Sequence, residues 1–402
     1  MLTYEEIVNA REQMKGVIHE TPLDYSNTFS SLSHNKIYLK LENMQKTGSF
    51  KVRGAYNKII SLTKKQREKG IIAASAGNHA QGVAFACRML AIPCTIVMPK
   101  GAPLSKIEAT KSYGATVELS GHSFDDALAE ALIIKEQTEA TFVHAFDDDA
   151  IIAGQGTIGL EIIEQLPDVD AIVCPIGGGG LIAGLAKAIK ETHPHVKVYG
   201  VQASSCNSMG QSIDRKQPTL IDALPTMADG IAVKKPGQKP YDIVEKYVDD
   251  LFIVEETELA KTMLLLLERN KLVVEGSGAT ALAALMYEKI PIKDKKVVAI
   301  LSGGNVDVSF VSKVIEYGLM ESGRYLTFRT LIEDKPGKLP EILGKISELE
   351  ANILNVNQQR VGVKVFPGQT QLQVSLETRD PEHIKQILEK LRKAGYDIDE
   401  LS

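Results

Sequence analysis

The stretch Ala171-Ile-Val-Cys-Pro-Ile-Gly-Gly-Gly-Gly-Leu181 joins a mostly apolar run to four consecutive glycines, and an amphipathic run, Leu181–Lys190, follows it. The first run predicts a buried strand and the second predicts a helix. A glycine loop that enters a helix exposes backbone N–H groups at the positive end of the helix dipole, which suits a phosphate group. The stretch therefore predicts a strand–loop–helix unit with an anion site.

Two other interpretations of the glycine loop are weaker. A simple tight turn seldom needs four glycines. A dinucleotide site is the other alternative, because Gly178, Gly180 and Ala183 fit the G-x-G-x-x-A pattern. Such a site needs an acidic residue about 20 positions later to hold a ribose, whereas the next strand ends in Val201-Gln-Ala203 without a carboxylate. We therefore exclude the dinucleotide site.

On both sides of this stretch, short apolar runs alternate with amphipathic ones. The alternation predicts parallel sheets with helices on both faces, and the number of strands favours two such layers. The predicted strands are Ile37–Leu41, Ile71–Ala74, Cys94–Met98, Thr116–Leu119, Thr141–Ala145, Ala171–Ile176, Val196–Val201 and Val297–Leu301, and the predicted helices include Asp125–Gln137, Leu181–Lys190 and Leu259–Arg269.

Four polar or glycine-rich clusters follow predicted strands. They are Lys46–Lys51, Ser75–His79, Gly177–Gly180 and Ser302–Asn305. In open α/β sheets, ligands bind beyond the carboxyl ends of the strands. One such loop would be weak support for a site, but four loops in comparable positions predict one.

Lys51 stands out in the first cluster because of its setting. Most lysines are solvated surface charges, but Lys51 lies at the start of a predicted helix, Val52–Ile60, where the helix dipole disfavours a cation. An amine that is destabilised as a cation has a lowered pKa and forms a Schiff base more readily.

The pattern changes near residue 320. Glu321-Ser-Gly-Arg324 is short and polar and predicts a linker. The runs after it predict a βαββαβ order, which is a compact ferredoxin-like unit. These runs are Tyr325–Ile332, Leu339–Leu349, Ile353–Val361, Thr370–Glu377, His383–Lys393 and a last strand.

Composition excludes several classes of protein. The 402 residues are too many for one ordinary core. The net charge of −5 comes from interspersed acidic and basic residues, which gives no footprint for nucleic acid or an anionic membrane. The first residues and the lengths of the apolar runs lead us to expect neither a secretory signal nor a membrane-spanning segment. The four cysteines form no CxxC pair, so we expect reduced thiols in a cytoplasmic protein.

The motifs resemble those of a known family. Ser49-Phe-Lys-Val-Arg-Gly54, Ser75–Gly82, Gly177–Leu181 and Ser302–Asn305 resemble the fold-type II pyridoxal-phosphate enzymes, and among them the threonine dehydratases, over about residues 3–318. The C-terminal unit resembles an ACT domain, an amino-acid-binding regulatory module, through Asp334–Leu339 and Ala351–Asn355. The resemblance implies a catalytic domain over residues 1–320, with a small subdomain of about 48–145 inserted in the large one. It implies an ACT domain over 325–402.

The resemblance also implies roles for the site residues. Lys51 would carry pyridoxal 5'-phosphate as a Schiff base, Phe50 would pack beside its ring, Asn78 would contact the ring hydroxyl and Ser302 the ring nitrogen. The phosphate would be held by Gly177, Gly178, Gly179, Gly180 and Leu181. The substrate carboxylate would be held by Ser75, Ala76, Gly77, Asn78 and His79. For His79, a loop-anchoring role is equally compatible with the sequence.

The reaction implied is the deamination of L-threonine to 2-oxobutanoate and ammonia, and of L-serine to pyruvate. Lys51 would take the Cα proton, and a neutral Ser302 would leave the ring a weak electron sink, which favours elimination. Alternatives are a serine-preferring dehydratase, a β-replacement enzyme and a non-catalytic amino-acid sensor. Asn78-His79 argues against a cysteine-synthase-like enzyme, which carries Asn-Thr there, and intact Lys51 and Ser302 argue against the sensor.

The chain departs from one set of relatives, the serine racemases. Ala76 stands where they have a serine that acts as a base, so we expect no efficient racemisation. Gln202, Cys206 and Ser208 stand where they have metal-binding carboxylates, so we expect no divalent metal. Glu275 resembles an active-site loop residue, and a structural carboxylate at a helix start is the open alternative.

The C-terminal unit predicts regulation. Asp334, Gly337 and Leu339 lie where a loop enters a helix, and Asn355 follows the next turn. We expect an amino-acid effector, isoleucine first and valine second, to bind there between paired domains of a homodimer or homotetramer. The alternative is that the unit only holds the oligomer together. The sequence leaves open a role in isoleucine synthesis or in threonine degradation.

Overall fold

A computed structural model describes residues 2–362 and 365–401 of the chain. The contacts within it divide the chain into two compact units, Met1–Asp307 and Val308–Ser402. All four cysteines are free and buried. Among the helices of the described residues, none is both long enough and apolar enough to cross a bilayer.

The strands of the first unit form two separate sheets. In chain order they are β1 (Leu23–Tyr25), β2 (Lys36–Lys40), β3 (Ile71–Ala74), β4 (Cys94–Met98), β5 (Thr116–Leu119), β6 (Thr141–Phe142), β7 (Ala171–Pro175), β8 (Lys197–Ala203), β9 (Asp250–Val254) and β10 (Lys296–Ile300). The helices between them are α1 (Tyr4–Met14), α2 (Asn27–Ser33), α3 (Lys51–Ile60), α4 (Lys64–Glu68), α5 (Asn78–Met89), α6 (Leu104–Ser112), α7 (Phe124–Thr138), α8 (Asp149–Gln165), α9 (Gly180–Thr192), α10 (Ser208–Asp214), α11 (Gln238–Tyr247), α12 (Glu256–Leu265) and α13 (Gly276–Met286).

The larger sheet has the strand order β1-β2-β10-β7-β8-β9 and the smaller one β5-β4-β3-β6. All neighbours are parallel except β1 and β2. Every residue of β3 and β7 is buried, which is the burial expected of a central parallel strand covered on both faces. The smaller sheet comes from residues 71–142, which lie inside the predicted insertion at 48–145. The predicted α/β class with two parallel layers is therefore confirmed.

Local signals explain where several elements begin and end. A capping box of Thr3 and Glu6 opens α1. The strand predicted at Thr141–Ala145 ends at Phe142, because the chain then turns: His144 Nδ1 accepts hydrogen bonds from the N–H groups of Phe146 and Asp147 at 3.2 and 2.9 Å. The prediction of its last three residues was wrong.

The second unit contains one helix and a four-stranded sheet with two helices. In chain order its elements are α14 (Val308–Glu321), β11 (Tyr325–Glu333), α15 (Lys338–Ser347), β12 (Asn352–Gln359), β13 (Gln369–Glu377), α16 (Pro381–Lys393) and β14 (Ile398–Glu400). The strand order is β12-β13-β11-β14 and all pairs are antiparallel, so β11 to β14 have the ferredoxin-like βαββαβ topology. Helix α14 contacts β11, and this groups it with the second unit.

Candidate active site

The sheet topology explains why the polar clusters meet. Strands β2, β10 and β7 are parallel neighbours, so the loops that follow them leave the same edge of the larger sheet. Phe50 N donates to Ser302 O at 3.1 Å, and Ser49 forms a bridge with Gly303. The loop after β3, in the smaller sheet, joins them through Asn78, whose Oδ1 accepts a hydrogen bond from Asn305 Nδ2 at 2.7 Å. Three of the four predicted clusters are therefore in direct contact.

Lys51 is the first residue of α3 and is half-buried. Its Nζ donates to Ala145 O at 3.1 Å and lies 5.3 Å from the ring centroid of Phe50. Burial lowers the pKa of Lys51 to about 8, although the carboxylate of Glu275 opposes the shift. The direction agrees with the prediction from the sequence, and its cause is the removal of the amine from water.

The tetraglycine loop leaves no room for side chains. Gly179 precedes α9 with φ of 95°, a left-handed conformation that L-residues with a side chain rarely adopt. A Cβ at Gly178 would lie 2.4 Å from the ring of Phe146, and one at Gly177 would lie 3.0 Å from Ile231 Cα. The first N–H groups of α9, among them that of Leu181, have no acceptor within the helix. The loop therefore has the form of a phosphate cradle.

The loop after β3 presents Asn78 in one orientation. Its Nδ2 donates to Glu275 Oε1 at 2.7 Å, while its Oδ1 accepts from Asn305. Gly77 N donates to Ser75 Oγ at 3.2 Å, which closes the turn before α5. Ser75, Ala76, Gly77 and Asn78 are half-buried and stand at the N-terminus of α5, where backbone N–H groups favour an anion.

Glu275 is 5% exposed and directly precedes α13. Its Oε1 accepts hydrogen bonds from Asn78 and, at 2.7 Å, from Ser277 Oγ. Burial raises the pKa of Glu275, and the nearby charge of Asp229 adds to the rise. The position is compatible with both predicted roles, a structural carboxylate and an active-site residue. Glu275 stands at the start of a helix, and it also contacts the loop of Asn78.

His79 is buried and hydrogen-bonded to the segment that follows β6. It is 4% exposed and its Nε2 lies 2.9 Å from Val143 O, so Nε2 carries the proton and donates. Burial and the charge of Lys51 lower the pKa of His79 to about 3. The ring is thus neutral, and its Nδ1 is a buried acceptor without a partner in the described residues. This geometry favours the anchoring role, because the ring has no further N–H for a carboxylate.

Ser302 follows β10 and is 3% exposed. Its Oγ lies 3.4 Å from Ser277 O, to which it donates weakly. A hydroxyl in this place can donate to or accept from a ring nitrogen without bringing a charge.

Two of the residues that stand where serine racemases have metal-binding carboxylates, Gln202 and Ser208, form hydrogen bonds with the backbone of neighbouring segments. Gln202 donates through Nε2 to Ile176 O at 3.2 Å and accepts at Oε1 from Gly210 N at 3.0 Å. Ser208 Oγ donates to Val233 O. Within residues 2–362 and 365–401, no three His, Cys, Asp or Glu side chains lie close enough to hold a metal ion. The expectation of no divalent metal stays a prediction.

The predicted effector residues lie in the second unit. Gly337 precedes α15 with φ of 92°, and Leu339 packs against the core of that unit. Asp334 forms an ion pair with Arg360 at 3.1 Å. Asn355 is exposed on β12, opposite Ser375 of β13. Two of the four residues, Asp334 and Gly337, are exposed in the β11–α15 loop.

Sequence reasoning missed several contributors to the site. Ala145 accepts the hydrogen bond of Lys51 through its backbone carbonyl. Any residue provides such a carbonyl, so the sequence could not indicate this contact. Asn305 was inside a recognised motif, and its amide was the available signal. Phe146, which packs against the glycine loop, gave no signal beyond its aromatic character.

The residues present fit pyridoxal phosphate. The glycine loop fits a phosphate group, and the Lys51 amine, with its lowered pKa, fits the aldehyde. The Asn78 amide and the Ser302 hydroxyl are polar groups that suit the ring substituents.

Comparisons with known proteins agree with this fit. The family model described as "Pyridoxal-phosphate dependent enzyme" matches residues 14–303. The chain is 50% identical to an L-threonine ammonia-lyase of Thermotoga maritima, with 99% of each chain covered. It is 48% identical to the catabolic L-threonine dehydratase TdcB of Escherichia coli, over 77% of this chain and 95% of that one. The solved structure of the processed form of threonine deaminase isoform 2 from Solanum lycopersicum aligns with a TM-score of 0.75 and 37% identity, over 78% of this chain and 92% of that one. This chain is an enzyme and belongs to the pyridoxal-phosphate-dependent enzymes of fold type II.

Proposed function

We propose that this enzyme deaminates L-threonine to 2-oxobutanoate and ammonia, and L-serine to pyruvate and ammonia, in the cytoplasm. The observation that carries the proposal is the half-buried Lys51 amine, which follows a segment joined by hydrogen bonds to the loops of Ser302 and Asn78. Relatives named as L-threonine ammonia-lyases match nearly the whole chain and support the choice of substrate. Free, buried cysteines accord with a reducing compartment.

The cofactor would be held by residues of four loops. Lys51 would bind it covalently, Phe50 would pack beside it, and Asn78 and Ser302 would contact its ring. The phosphate would be held by the backbone of Gly177, Gly178, Gly179, Gly180 and Leu181. When bound, pyridoxal phosphate supplies an electron sink for negative charge at the substrate Cα.

Lys51 moves the proton in this proposal. Its Nζ would take the Cα proton of the substrate, which requires the neutral amine. A pKa of about 8 leaves roughly a tenth of such an amine neutral at pH 7 and half at pH 8, whereas an ordinary lysine is almost fully charged. The hydrogen bond to Ala145 O fixes the direction of Nζ.

The substrate carboxylate would be bound by the first turn of α5. Its backbone N–H groups, together with Ser75 and Asn78, offer donors at the positive end of a helix dipole. His79 contributes by fastening this turn to Val143. Glu275 and Asn305 keep Asn78 in one orientation through hydrogen bonds at 2.7 Å.

Two residues bias the outcome of the reaction toward elimination. Ser302 would be a neutral partner for the ring nitrogen, so the electron sink would stay weak and negative charge at Cα would be short-lived. Ala76 has no hydroxyl with which to return a proton to the opposite face of the substrate, and this disfavours racemisation.

Release of 2-oxo acid from a panel of amino acids tests the proposal. We expect turnover of L-threonine, slower or comparable turnover of L-serine, and no D-serine from L-serine. A clear preference for serine would support the alternative of a serine dehydratase. No 2-oxo acid from either substrate by cofactor-loaded enzyme would contradict the proposed function.

We further propose that the second unit is an ACT regulatory domain that binds a branched-chain amino acid, isoleucine before valine. Support comes from its ferredoxin-like topology and from the loop of Asp334 and Gly337 that enters α15. The carboxylate of the effector would bind the N–H groups of that loop, and Leu339 and Asn355 would complete the site between paired domains of a dimer or tetramer. The effector shifts activity only if it binds two states of the enzyme unequally.

A further inference from the structure

A completely buried cluster of four charged side chains lies beneath α3. It consists of Lys40, Glu42, Arg53 and Glu161, and the exposed fractions of these residues run from 0% to 4%. We call it the Arg53 cluster. Two formal cations face two carboxylates, so the charges balance. None of these residues belongs to the loops that line the site described above.

Arg53 uses all of its donors. Its Nε and Nη2 reach the two oxygens of Glu42 at 2.9 and 2.8 Å. On the other side, Nη1 and Nη2 reach the two oxygens of Glu161, and Nη1 also reaches Thr157 Oγ1 at 3.1 Å. The remaining contact is from Nη2 to His19 O at 3.3 Å. Burial opposes the charge on Arg53, but the two carboxylates outweigh it and raise the pKa of the guanidinium.

Lys40 completes the cluster. Its Nζ donates to Glu161 Oε2 at 2.6 Å, to Thr21 O at 2.8 Å and to Gln165 Oε1 at 2.9 Å. Every donor of both cations thus has an acceptor. The cluster joins β2 and the turn after it, where Lys40 and Glu42 lie, to α3 and α8.

Stability alone does not explain such a cluster. Replacing a buried, charge-balanced set by well-packed apolar side chains of similar volume is often neutral or stabilising, because the cost of removing charges from water offsets their attraction. What the cluster supplies is geometry: bidentate contacts with carboxylates on two sides allow the guanidinium one place and one orientation. Arg53 follows Lys51 by two residues, about 200° around the helix, and so it holds the opposite face of α3.

Helix α8 links this anchor to the phosphate loop. Gly54 of α3 and Gly154 of α8 approach so closely that a Cβ at Gly154 would lie 2.6 Å from Gly54 Cα. On the same helix α8, a Cβ at Gly156 would lie 2.8 Å from Gly184 O of α9. Gln155 Oε1 also accepts a hydrogen bond from Gly54 N at 3.2 Å. Helices α3 and α9, which begin at Lys51 and at the glycine loop, are thereby packed against one common helix.

We propose that Arg53 and Glu161 are positioning residues. They hold the start of α3, so that the Lys51 amine keeps a fixed position relative to the glycine loop. This inference rests on the role of Lys51 in the proposed function. It does not depend on which amino acid is the substrate.

The test is a variant that replaces the four charged side chains together by apolar ones of similar volume, Lys40→Met, Glu42→Met, Arg53→Met and Glu161→Met. We expect a folded protein whose Tm lies within about 5 °C of the parent. Misplacement of Lys51 should lower kcat for L-threonine by about 10- to 100-fold, with KM changed by less than about twofold. The dissociation constant of pyridoxal phosphate should rise, and the pH dependence of the absorbance of the resting holoenzyme should shift. Glu275, whose charge acts on Lys51, is unchanged in this variant, and so are His79 and His144, on which the charge of Lys51 acts.

Two further variants make the result decisive. Arg53→Lys keeps the charge and loses the bidentate geometry, so it should fold and still show the lower kcat. The control is Arg11→Gln with Glu164→Gln, which removes an ion pair between α1 and α8 one turn from Glu161 without touching α3, and it should keep the parent kcat within about twofold.

The proposal is overturned if either Arg53→Lys or the folded four-charge variant keeps the parent kcat and the parent absorbance profile. It is also overturned if the four-charge variant does not fold, because the cluster would then serve to stabilise the fold rather than to position Lys51. If the parent releases no 2-oxobutanoate, the proposed function fails. The cofactor readouts would still decide whether the cluster positions Lys51.

Discussion

At the scale of single residues, the protonation of Lys51 gives the most direct consequence. A pKa of about 8 means that the neutral amine becomes more abundant as the pH rises toward 8 and is almost complete above 9. We therefore expect the rate at which the apoenzyme binds pyridoxal phosphate covalently to rise about tenfold per pH unit below pH 7.5 and to level off near pH 9. Stopped-flow absorbance measures this rate. A rate that still rises tenfold between pH 8.5 and 9.5 would indicate an ordinary lysine.

Ser302 gives a second prediction. An aspartate in its place would hold the ring nitrogen protonated and strengthen the electron sink, so negative charge at Cα would last longer. For Ser302→Asp we expect slower elimination, with kcat lower by at least about tenfold, and a new long-wavelength absorbance band during turnover. Ser302→Thr, which keeps the hydroxyl, is the control. If Ser302→Asp eliminates at the parent rate, Ser302 does not contact the ring nitrogen.

Some residues of the site could be predicted from sequence motifs, whereas others are identified only by contacts between distant parts of the chain. Lys51, Asn78 and Ser302 lie in motifs next to predicted strands, so their loops could be expected to meet at one edge of a sheet. The partners of Glu275 could not be found in this way, because its contact with Asn78 spans 197 positions of sequence. The same is true of Arg53, whose contact with Glu161 spans 108 positions. The sequence placed Arg53 in the motif Ser49–Gly54, but nothing in the motif indicates that its side chain is buried against carboxylates of other elements.

At the scale of elements, the glycine loop before α9 predicts a strict requirement for small residues. A Cβ at Gly178 would lie 2.4 Å from the ring of Phe146, so either the ring or the loop must move. We expect Gly178→Ala to raise the dissociation constant of pyridoxal phosphate at least about tenfold, because the N–H groups leave their common focus.

Gly210→Ala is the matched control for this prediction. Gly210 lies in α10, and the nearest atom to its Cβ would be Gln202 Oε1 at 4.0 Å, which is ordinary contact. This variant should bind the cofactor like the parent and be at least as stable, since alanine loses less backbone entropy in a helix. Equal cofactor affinity in the Gly178→Ala and Gly210→Ala variants would show that the loop does not cradle the phosphate.

The predicted strands agree best with the structure where a short apolar run is buried between two turns. Strands β3, β4 and β5 match the predicted bounds. For β3 and β4 the reason is that mostly apolar runs between turns favour buried parallel strands, whereas β5 matches although its residues are exposed or half-buried. Strand β1 escaped prediction because it is three residues long and stands at a sheet edge, where its residues are half-buried or exposed. The helix predicted at Leu259–Arg269 begins earlier, at Glu256, where Glu255 and Glu258 form a capping box.

At the scale of the whole molecule, the second unit predicts a separable control function. In the intact protein, we expect isoleucine, and more weakly valine, to change the kinetics of L-threonine deamination. A chain that ends after residue 321 should keep turnover and lose this response. If the intact protein ignores both amino acids and truncation changes only the oligomeric state, the second unit serves assembly and the regulatory proposal fails.

The central claim is that Lys51 performs the deamination of L-threonine, and the Lys51→Ala variant tests it most directly. The measurement is the rate of 2-oxobutanoate release by purified Lys51→Ala enzyme in excess pyridoxal phosphate, with Tm as a check of folding. Lys46→Ala, an exposed lysine in the same loop, is the control. We predict no turnover above background at a parent-like Tm for Lys51→Ala, and parent-like turnover for Lys46→Ala. Near-parent release of 2-oxobutanoate by folded Lys51→Ala enzyme would contradict the account.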